Sequence, residues 1–331
     1  MKDTVQVPII DVFAGPGGLG EGFSAYAVKG VKPFRIALSV EKEKHAWQTL
    51  SLRSFFRQFQ YSGKPVPDEY YRHSADPRTM PREQLFDLFP AEAAAACAEA
   101  WKAELGDRSI EQELKRRISR AVVETDHWIL IGGPPCQAYS VAGRSRNRGN
   151  KMFDQDPKHF LYEEYLRIIA RHWPSVFVME NVKGILTSRT GGEHIFPRIR
   201  RDLMHPGTAT GRRGKHSYRL YSFVTAKLPD MLLPEDFLIR SEDYGIPQAR
   251  HRVIILGIRD DLAGADLAPT VLRKKGRVIN VEEVLTLPRL RSGLSFNACL
   301  DDSWGNWCDV LLRARITPWY YAIDSDVREC L

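Results

Sequence analysis

Short, nearly unbroken apolar runs alternate along the chain with amphipathic stretches, and glycine or proline marks most of the changes. The first run, Gln6–Phe13, is interrupted by Pro8 and is followed at once by Gly15-Pro16-Gly17-Gly18. A helix is predicted over Leu19–Tyr26, then a buried strand over Arg35–Val40 ending at Glu41, then a helical stretch to about Phe59. Apolar runs without strict alternation fit strands covered on both faces. Strand, glycine turn, helix, strand is one βαβ unit of a parallel sheet.

The pattern then changes. Gln60 to about Pro90 is aromatic, proline-rich and polar, and reads as loop. From Pro90 to about Val123 the chain is rich in Ala, Glu, Lys and Arg, and a helical surface insertion is expected over 90–123. Further buried strands are predicted at His127–Ile131, Val176–Met179, Tyr218–Lys227 and Arg252–Ile258, with a helix at His159–His172. Basic, glycine-rich loops are expected at Gly143–Gly149 and Thr208–His216. Past about Arg259 the pattern weakens. The fold class expected is α/β, a doubly wound and mostly parallel sheet.

Charge and cysteine content narrow the function classes. Lys and Arg number 48 against 41 acids, a net charge of +7 that favours a polyanionic partner. No apolar run approaches the ~20 residues of a membrane helix, and no signal-type core follows the N-terminus, so a cytoplasmic location is expected. Cys97, Cys136, Cys299, Cys308 and Cys330 show no CxxC spacing. Neither a disulfide framework nor a metal site is expected, and a reduced compartment fits.

Two motifs carry chemistry. Gly15, Gly17 and Gly20 satisfy G-x-G-x-x-G between a strand and a helix, and Glu41 lies where an acid meets ribose hydroxyls. That pattern alone serves a nicotinamide or flavin cofactor as well as S-adenosylmethionine. The second motif is Gly133-Pro134-Pro135-Cys136-Gln137 at the end of a buried strand. Two prolines stiffen the loop that presents the thiol. Only a thiolate attacks, and an electropositive loop at a strand's carboxyl end is where its pKa falls. Glu180-Asn181-Val182 ends the next strand, so its carboxylate is expected at the same sheet edge as Cys136. Gln248-Ala249-Arg250-His251-Arg252 brings two arginines to the start of another run.

Taken in order, Asp11-Val12-Phe13-Ala14-Gly15-Pro16-Gly17-Gly18, Pro134-Pro135-Cys136-Gln137, Glu180-Asn181-Val182 and Gln248-Ala249-Arg250-His251-Arg252 resemble successive blocks of the cytosine-C5 DNA methyltransferases. The likeness spans residues 7 to about 258. It implies a Rossmann-like methyltransferase fold, S-adenosyl-L-methionine as methyl donor and double-stranded DNA as partner, in the setting of a restriction-modification system. Phe13, Ala14, Gly15, Pro16, Gly17, Gly18 and Leu19 would line the cofactor, with Glu41 on its ribose and Lys42 beside it. Asp76 is similar to the acid that meets the adenine amine, and Pro135 and Leu161 would flank the cofactor. Cys136 would be the nucleophile, Glu180 the partner of the cytosine edge and Arg252 the ligand of its carbonyl. Gln137, Asn181, Val182, Arg144, Arg146 and Arg250 would meet the base or the DNA, Asn181 also holding the loops together.

The resemblance also implies a catalytic domain over 1–262 and part of a target-recognition region over 263–331. The family's later helical block and Gly-Asn block are not found; Gly305-Asn306 lies between two tryptophans, the wrong context. A missing C-terminal segment or a second polypeptide is expected to supply them. Three other readings stand beside this one. A nicotinamide or flavin oxidoreductase leaves Pro-Pro-Cys idle. A tRNA-methylating relative shares nearly every motif. A silent DNA-binding relative conflicts with the intact Cys136, Glu180 and Arg252.

Overall fold

The computed structural model describes residues 6–123, 125–135, 161–190, 193–264 and 269–276, with scattered positions between 305 and 321. The chain divides into two compact units. The first comprises Met1–Arg240 and His251–Arg273, the second Ser241–Arg250 and Lys274–Leu331.

The first unit is built on an eight-stranded sheet. Its parallel half contains β1 (Val7–Val12), β2 (Phe34–Glu41), β3 (Ala100–Lys102), β4 (Ile129–Gly132) and β5 (Val176–Val182), in the order β3-β2-β1-β4-β5. A two-stranded hairpin, β6 (Arg189–Thr190) and β7 (Glu193–His194), lies outside it. Then come β8 (Tyr218–Tyr221), β9 (Leu238–Arg240) and β10 (His251–Arg259). Strand β10 runs antiparallel to β5, β8 and β9. The strand order reverses at β1, where β2 and β4 lie on opposite sides of it. In open α/β sheets the crevice outside the carboxyl ends at such a point is where ligands bind.

Helices cover both faces. They are α1 (Gly18–Ala25), α2 (Lys44–Tyr61), α3 (Asp68–Ala75), α4 (Arg82–Leu88), α5 (Pro90–Glu99), α6 (Glu111–Ala121), α7 (Leu161–His172), α8 (Ile195–Met204) and α9 (Pro206–Ala209). The strand period of two sorts the core into layers. Ile10 and Val12 face a cluster with Leu130, Tyr165, Ile169 and Phe196, supplied by α7 and α8. Ile9 faces Ile36, Ile131 and Val178, covered by Leu19 and Phe23 of α1.

Four expectations change. The stretch from Gln60 to Pro90 is not a loop, because α3 and α4 fold there, each preceded by a proline (Pro67 and Pro81). They cover the aromatic face of α2: Phe86 stacks on Phe55 at 4.8 Å and Tyr70 meets Phe56 at 5.2 Å. The helical insertion over 90–123 is broken by β3, which pairs with β2, and by a 3-10 turn at Arg108–Ile110. The Trp47 Nε1–H donates to the Ala100 carbonyl at 2.9 Å, which fixes that edge strand from α2. The strand expected over Tyr218–Lys227 stops at Tyr221, where Ser222 Oγ accepts the Val224 and Thr225 N–H groups in a turn. Last, the basic loop at Thr208–His216 begins with the last two residues of α9 and ends two residues before β8.

Candidate active site

The carboxyl edge of the sheet gathers most of the candidate residues, because consecutive parallel strands all end there. Val12 lies level with Val40 of β2 and with Gly132 of β4, and Gly132 is level with Met179 of β5. The segments that follow these positions are the glycine turn, Gly133-Pro134-Pro135 and Glu180-Asn181-Val182. Strand β10 runs the other way, so its first residues reach the same edge.

After β1 the backbone turns sharply. Phe13 (φ 55°), Gly15 (φ 57°) and Gly17 (φ 88°) occupy the left-handed region, and the Phe13 conformation costs on the order of 1–3 kcal/mol. The Ala14 N–H donates to the Val40 carbonyl at 3.1 Å, and the Gly17 N–H closes the turn onto the Ala14 carbonyl at 3.0 Å. A side chain at Gly15 or Gly18 would meet no atom within 4 Å, so the outer face of this turn is open backbone. Glu41 ends β2 beside it. One carboxylate oxygen accepts the Gly15 N–H at 2.8 Å and the other accepts the Glu43 N–H at 2.7 Å. Pro16 is exposed, while Ala14 is buried and Leu19 half-buried. Lys42 is exposed and paired with Glu104 at 2.8 Å.

Beneath the turn lies Asp11, 1% exposed and on the α1 face of β1. It lies against Gly20 in the first turn of α1, whose amide opposes the rise in its pKa, and the N-cap Gly17 has no side chain to cap that turn. Its Oδ2 has no hydrogen-bond partner among the described residues. Burial raises its pKa to about 7, against the opposing pull of Arg57. Arg57, itself buried, holds Glu21 of α1 and Glu99 of α5. This ties the glycine turn's helix to the layer beneath it.

The second cluster follows β4 and β5. A Cβ at Gly132 would stand 2.5 Å from the Val12 carbonyl oxygen, and one at Gly133 would stand 3.0 Å from Glu180 Oε2. Two glycines before the prolines therefore let β1 and the Glu180 carboxylate close in on this strand end. Asn181 is buried; its Nδ2 donates to the Pro134 carbonyl at 3.3 Å while its Oδ1 accepts the Val182 N–H at 2.8 Å. Glu180 and Arg252 are diagonal across the antiparallel β5–β10 pair, and Arg252 Nε lies 2.6 Å from Glu180 Oε1. This is an ion pair rather than an aligned hydrogen bond, since the buried Nε–H has no acceptor in line. The Arg252 Nη1–H donates to the His251 carbonyl at 2.8 Å, and a quarter of its side chain is exposed.

Other candidates are placed differently. Leu161 opens α7, with its Cδ2 3.6 Å from where a Cβ on Gly106 would be. Asp76 follows α3 as its C-cap, half-buried, with both oxygens on Arg78 at 2.9 and 3.0 Å. Arg250 belongs to the second unit, exposed, its carbonyl accepting the Ser241 N–H. Cys136, Gln137, Arg144 and Arg146 lie outside the described residues. One residue was passed over. Glu104 follows β3, where the Ala103 N–H donates to the Glu41 carbonyl at 3.0 Å, and it pairs with Lys42. Reading Pro90–Val123 as helix hid that strand end; Trp101 amid the alanines was the available signal.

The family model described as C-5 cytosine-specific DNA methylase matches residues 88–207 and 236–288. The Type II methyltransferase M.Bpa9945I of Bacillus paralicheniformis is 30% identical over 271 residues, covering 77% of this chain and 54% of its own length. M.DdeI of Desulfomicrobium norvegicum, also a Type II methyltransferase, is 26% identical over 292 residues, covering 86% and 49%. The chain thus spans about half the length of these relatives. A solved structure of the Entamoeba histolytica methyltransferase EhMeth aligns over 86% of this chain and 63% of its own, at a TM-score of 0.43 and 15% identity. With the family model covering more than half of its residues, and the glycine turn, the Pro-Pro loop and the Glu180–Arg252 pair sharing one sheet edge, the chain belongs to the C-5 cytosine-specific DNA methylase family.

Proposed function

We propose that this protein transfers a methyl group from S-adenosylmethionine to carbon 5 of cytosine in double-stranded DNA, through a covalent bond between Cys136 and a base flipped out of the helix. The observation that carries the reading is the Glu180–Arg252 pair at 2.6 Å, beside the loop that leads to Cys136 and one strand away from the glycine turn. An oxidoreductase has no use for a carboxylate and a guanidinium set together against a Pro-Pro-Cys loop.

The residues at the glycine turn fit the methyl donor. A carboxylate has about four lone-pair positions. Glu41 uses two of them on backbone N–H groups, which leaves acceptors for a vicinal diol. The open backbone at Gly15 and Gly18 admits a ligand to close range. Phe13, Ala14, Pro16, Gly17 and Leu19 complete that wall, Lys42 stands next to Glu41, and Pro135 and Leu161 flank it. Glu104 joins Asp76 as a candidate for the adenine amine, favoured by its place at a strand's carboxyl end. When bound, S-adenosylmethionine supplies an electrophilic methyl group on a sulfonium.

The protein's own residues prepare carbon 5, which is too weak a nucleophile unaided. The Cys136 thiolate adds to carbon 6 and the ring becomes enamine-like. Glu180 holds a proton at ring nitrogen 3, so charge does not build there as the thiolate adds. Arg252 donates to the base carbonyl and, through its ion pair, keeps Glu180 in place. After transfer a water molecule acting as base takes the carbon-5 proton, the electron pair of that bond re-forms the ring double bond, and Cys136 leaves carbon 6 as the thiolate. Base flipping costs a few kcal/mol, and Gln137, Arg144, Arg146, Val182 and Arg250 are proposed to offset it through contacts with the base or the backbone. Residues 1–262 would form the catalytic domain and 263–331 the start of a target-recognition region, completed by a further segment or polypeptide. Among the described residues no helix is long and apolar enough to cross a membrane; a cytoplasmic site of action on DNA is proposed.

The test supplies labelled S-adenosylmethionine with duplex DNA or with tRNA. Label on cytosine carbon 5 of the duplex is expected. Label on tRNA alone would transfer the reading to the RNA branch, and label on neither would overturn it.

A further inference from the structure

A second concentration of charge lies along α7, one turn and more beyond Leu161. A cavity of about 290 Å³ opens between the 3-10 turn at Arg108–Ile110, α6, α7 and the loop that follows α9. Its acids are already engaged. Glu111 pairs with Arg171 at 2.5 Å, Glu164 with Arg167, and Asp107 accepts the Ser109 N–H at 2.8 Å. Its remaining cations are not: among the described residues Arg108, Lys115 and Arg212 have no carboxylate partner, and all three line the same space. The side chain of Arg212 is exposed, but the backbone that carries it is anchored. Its N–H donates to the Gly207 carbonyl at 2.8 Å, and the Thr210 hydroxyl donates to the Pro206 carbonyl at 2.8 Å, folding this loop back on α9. His172, at the end of α7, reports the local field. Burial first, then Arg171, Lys115 and Arg212, push its pKa down to about 4, so the ring is neutral where a cation would be repelled.

Three like charges brought to one cavity from two segments, the continuous stretch of the 3-10 turn and α6 and the loop after α9, repel one another, and the lining acids Asp107, Glu111 and Glu164, each already engaged, do not neutralise the five cations around them. An anion does. Two arginines supply planar forks that match oxygen pairs and a lysine adds a point charge, the donor set that suits a tetrahedral oxyanion. We propose that this cavity binds a phosphate group through Arg108, Lys115 and Arg212. The phosphate belongs either to the backbone of a bound duplex or to a free nucleoside phosphate. The basic loop at Thr208–His216, which has no part in the methyl-transfer reading, thereby acquires a role.

The experiment titrates the protein with inorganic phosphate at constant ionic strength, by calorimetry, and repeats this for K115A/R212A. Because both side chains are exposed, the variant should keep the native far-UV spectrum; Arg108→Ala serves as an independent single change if it does not. K29A/R198A, which removes two exposed charges elsewhere, is the control. Saturable one-to-one binding that falls about tenfold or more in K115A/R212A, and holds in the control, is expected from losing charged hydrogen bonds. Equal binding in all three proteins, or no saturable binding, overturns the proposal. A second arm measures duplex binding against salt. If the phosphate is that of DNA, K115A/R212A lowers the slope of log affinity on log salt by roughly one per lost contact. An unchanged slope together with the phosphate result assigns the cavity to a free phosphate compound. Neither arm depends on methyl transfer, so failure here is separable from failure of the proposed activity.

Discussion

Glu180 and Arg252 hold each other at 2.6 Å on adjacent antiparallel strands, each about three-quarters shielded from water. Replacing Glu180 by Gln keeps the shape but removes both the charge that pairs with Arg252 and the carboxyl proposed to share a proton with the base. Turnover is expected to fall by roughly 10²–10³, the scale for deleting one stabilising group at a developing charge, while duplex affinity changes little. Single-turnover methyl transfer with a parallel binding isotherm checks this. A variant with undiminished turnover would take Glu180 out of the chemistry. Asp11 works at a different level, under the glycine turn. Its carboxyl, raised to about 7 by burial, stays protonated in the folded state over a range where the unfolded chain, near 3.8, has already ionised. Its contribution to stability is therefore fully present below about pH 4 and lost as the pH climbs toward 7. Asn at this position does not titrate. The stability of Asp11→Asn relative to the parent should rise between pH 4 and 7, by up to about 4 kcal/mol, and then level off. Urea melts at several pH values measure that difference, and a constant gap would contradict the account of Asp11.

The strands buried on both faces announced themselves, since β1, β2, β4, β5 and β10 are apolar runs bounded by glycine, proline or charge. What stayed hidden has two physical sources. Strand β3 is three residues long and sits on the edge of the sheet, so alanine and lysine serve there as well as in a helix. Proline misled in the other direction: Pro67 and Pro81 look like breakers, yet they stand immediately before α3 and α4, where a missing N–H costs nothing. The consequence at the site is that two acids, Asp76 after α3 and Glu104 after β3, are proposed for the adenine side. Calorimetry of S-adenosylmethionine binding separates them, with Glu104→Ala expected to weaken binding by roughly 1.5–3 kcal/mol and Asp76→Ala by less. The opposite ranking would restore Asp76. The β5–β10 contact is a further test of the sheet. A Cβ on Gly257 would stand 2.1 Å from the Phe177 ring, inside the core. Gly257→Ala should cost about 1–3 kcal/mol in denaturant unfolding, as overpacking does. A neutral result would mean that Phe177 does not lie across this strand.

At the scale of the whole molecule, one sheet edge does the organising. Parallel strands deliver the glycine turn, the Pro-Pro loop and the Glu180 segment to it in spatial order, and the antiparallel β10 returns from a distant part of the chain to add Arg252. The order of those motifs was legible in the sequence. The pairing of Glu180 with Arg252 was not, because it depends on a strand direction and register that no local pattern encodes. The central claim is that this edge presents Cys136 to a flipped cytosine, and it is tested by trapping. With fluorine at carbon 5 of the target base, addition and methyl transfer proceed but elimination stalls, since fluorine does not leave as a proton does. The protein as its gene encodes it, given S-adenosylmethionine and the fluorinated duplex, should accumulate a covalent adduct that maps to Cys136. Cys136→Ser should form none, because a serine hydroxyl is far less ionised than a thiol at neutral pH. Adduct mapped to Cys97, Cys299, Cys308 or Cys330, or undiminished in Cys136→Ser, would contradict the account.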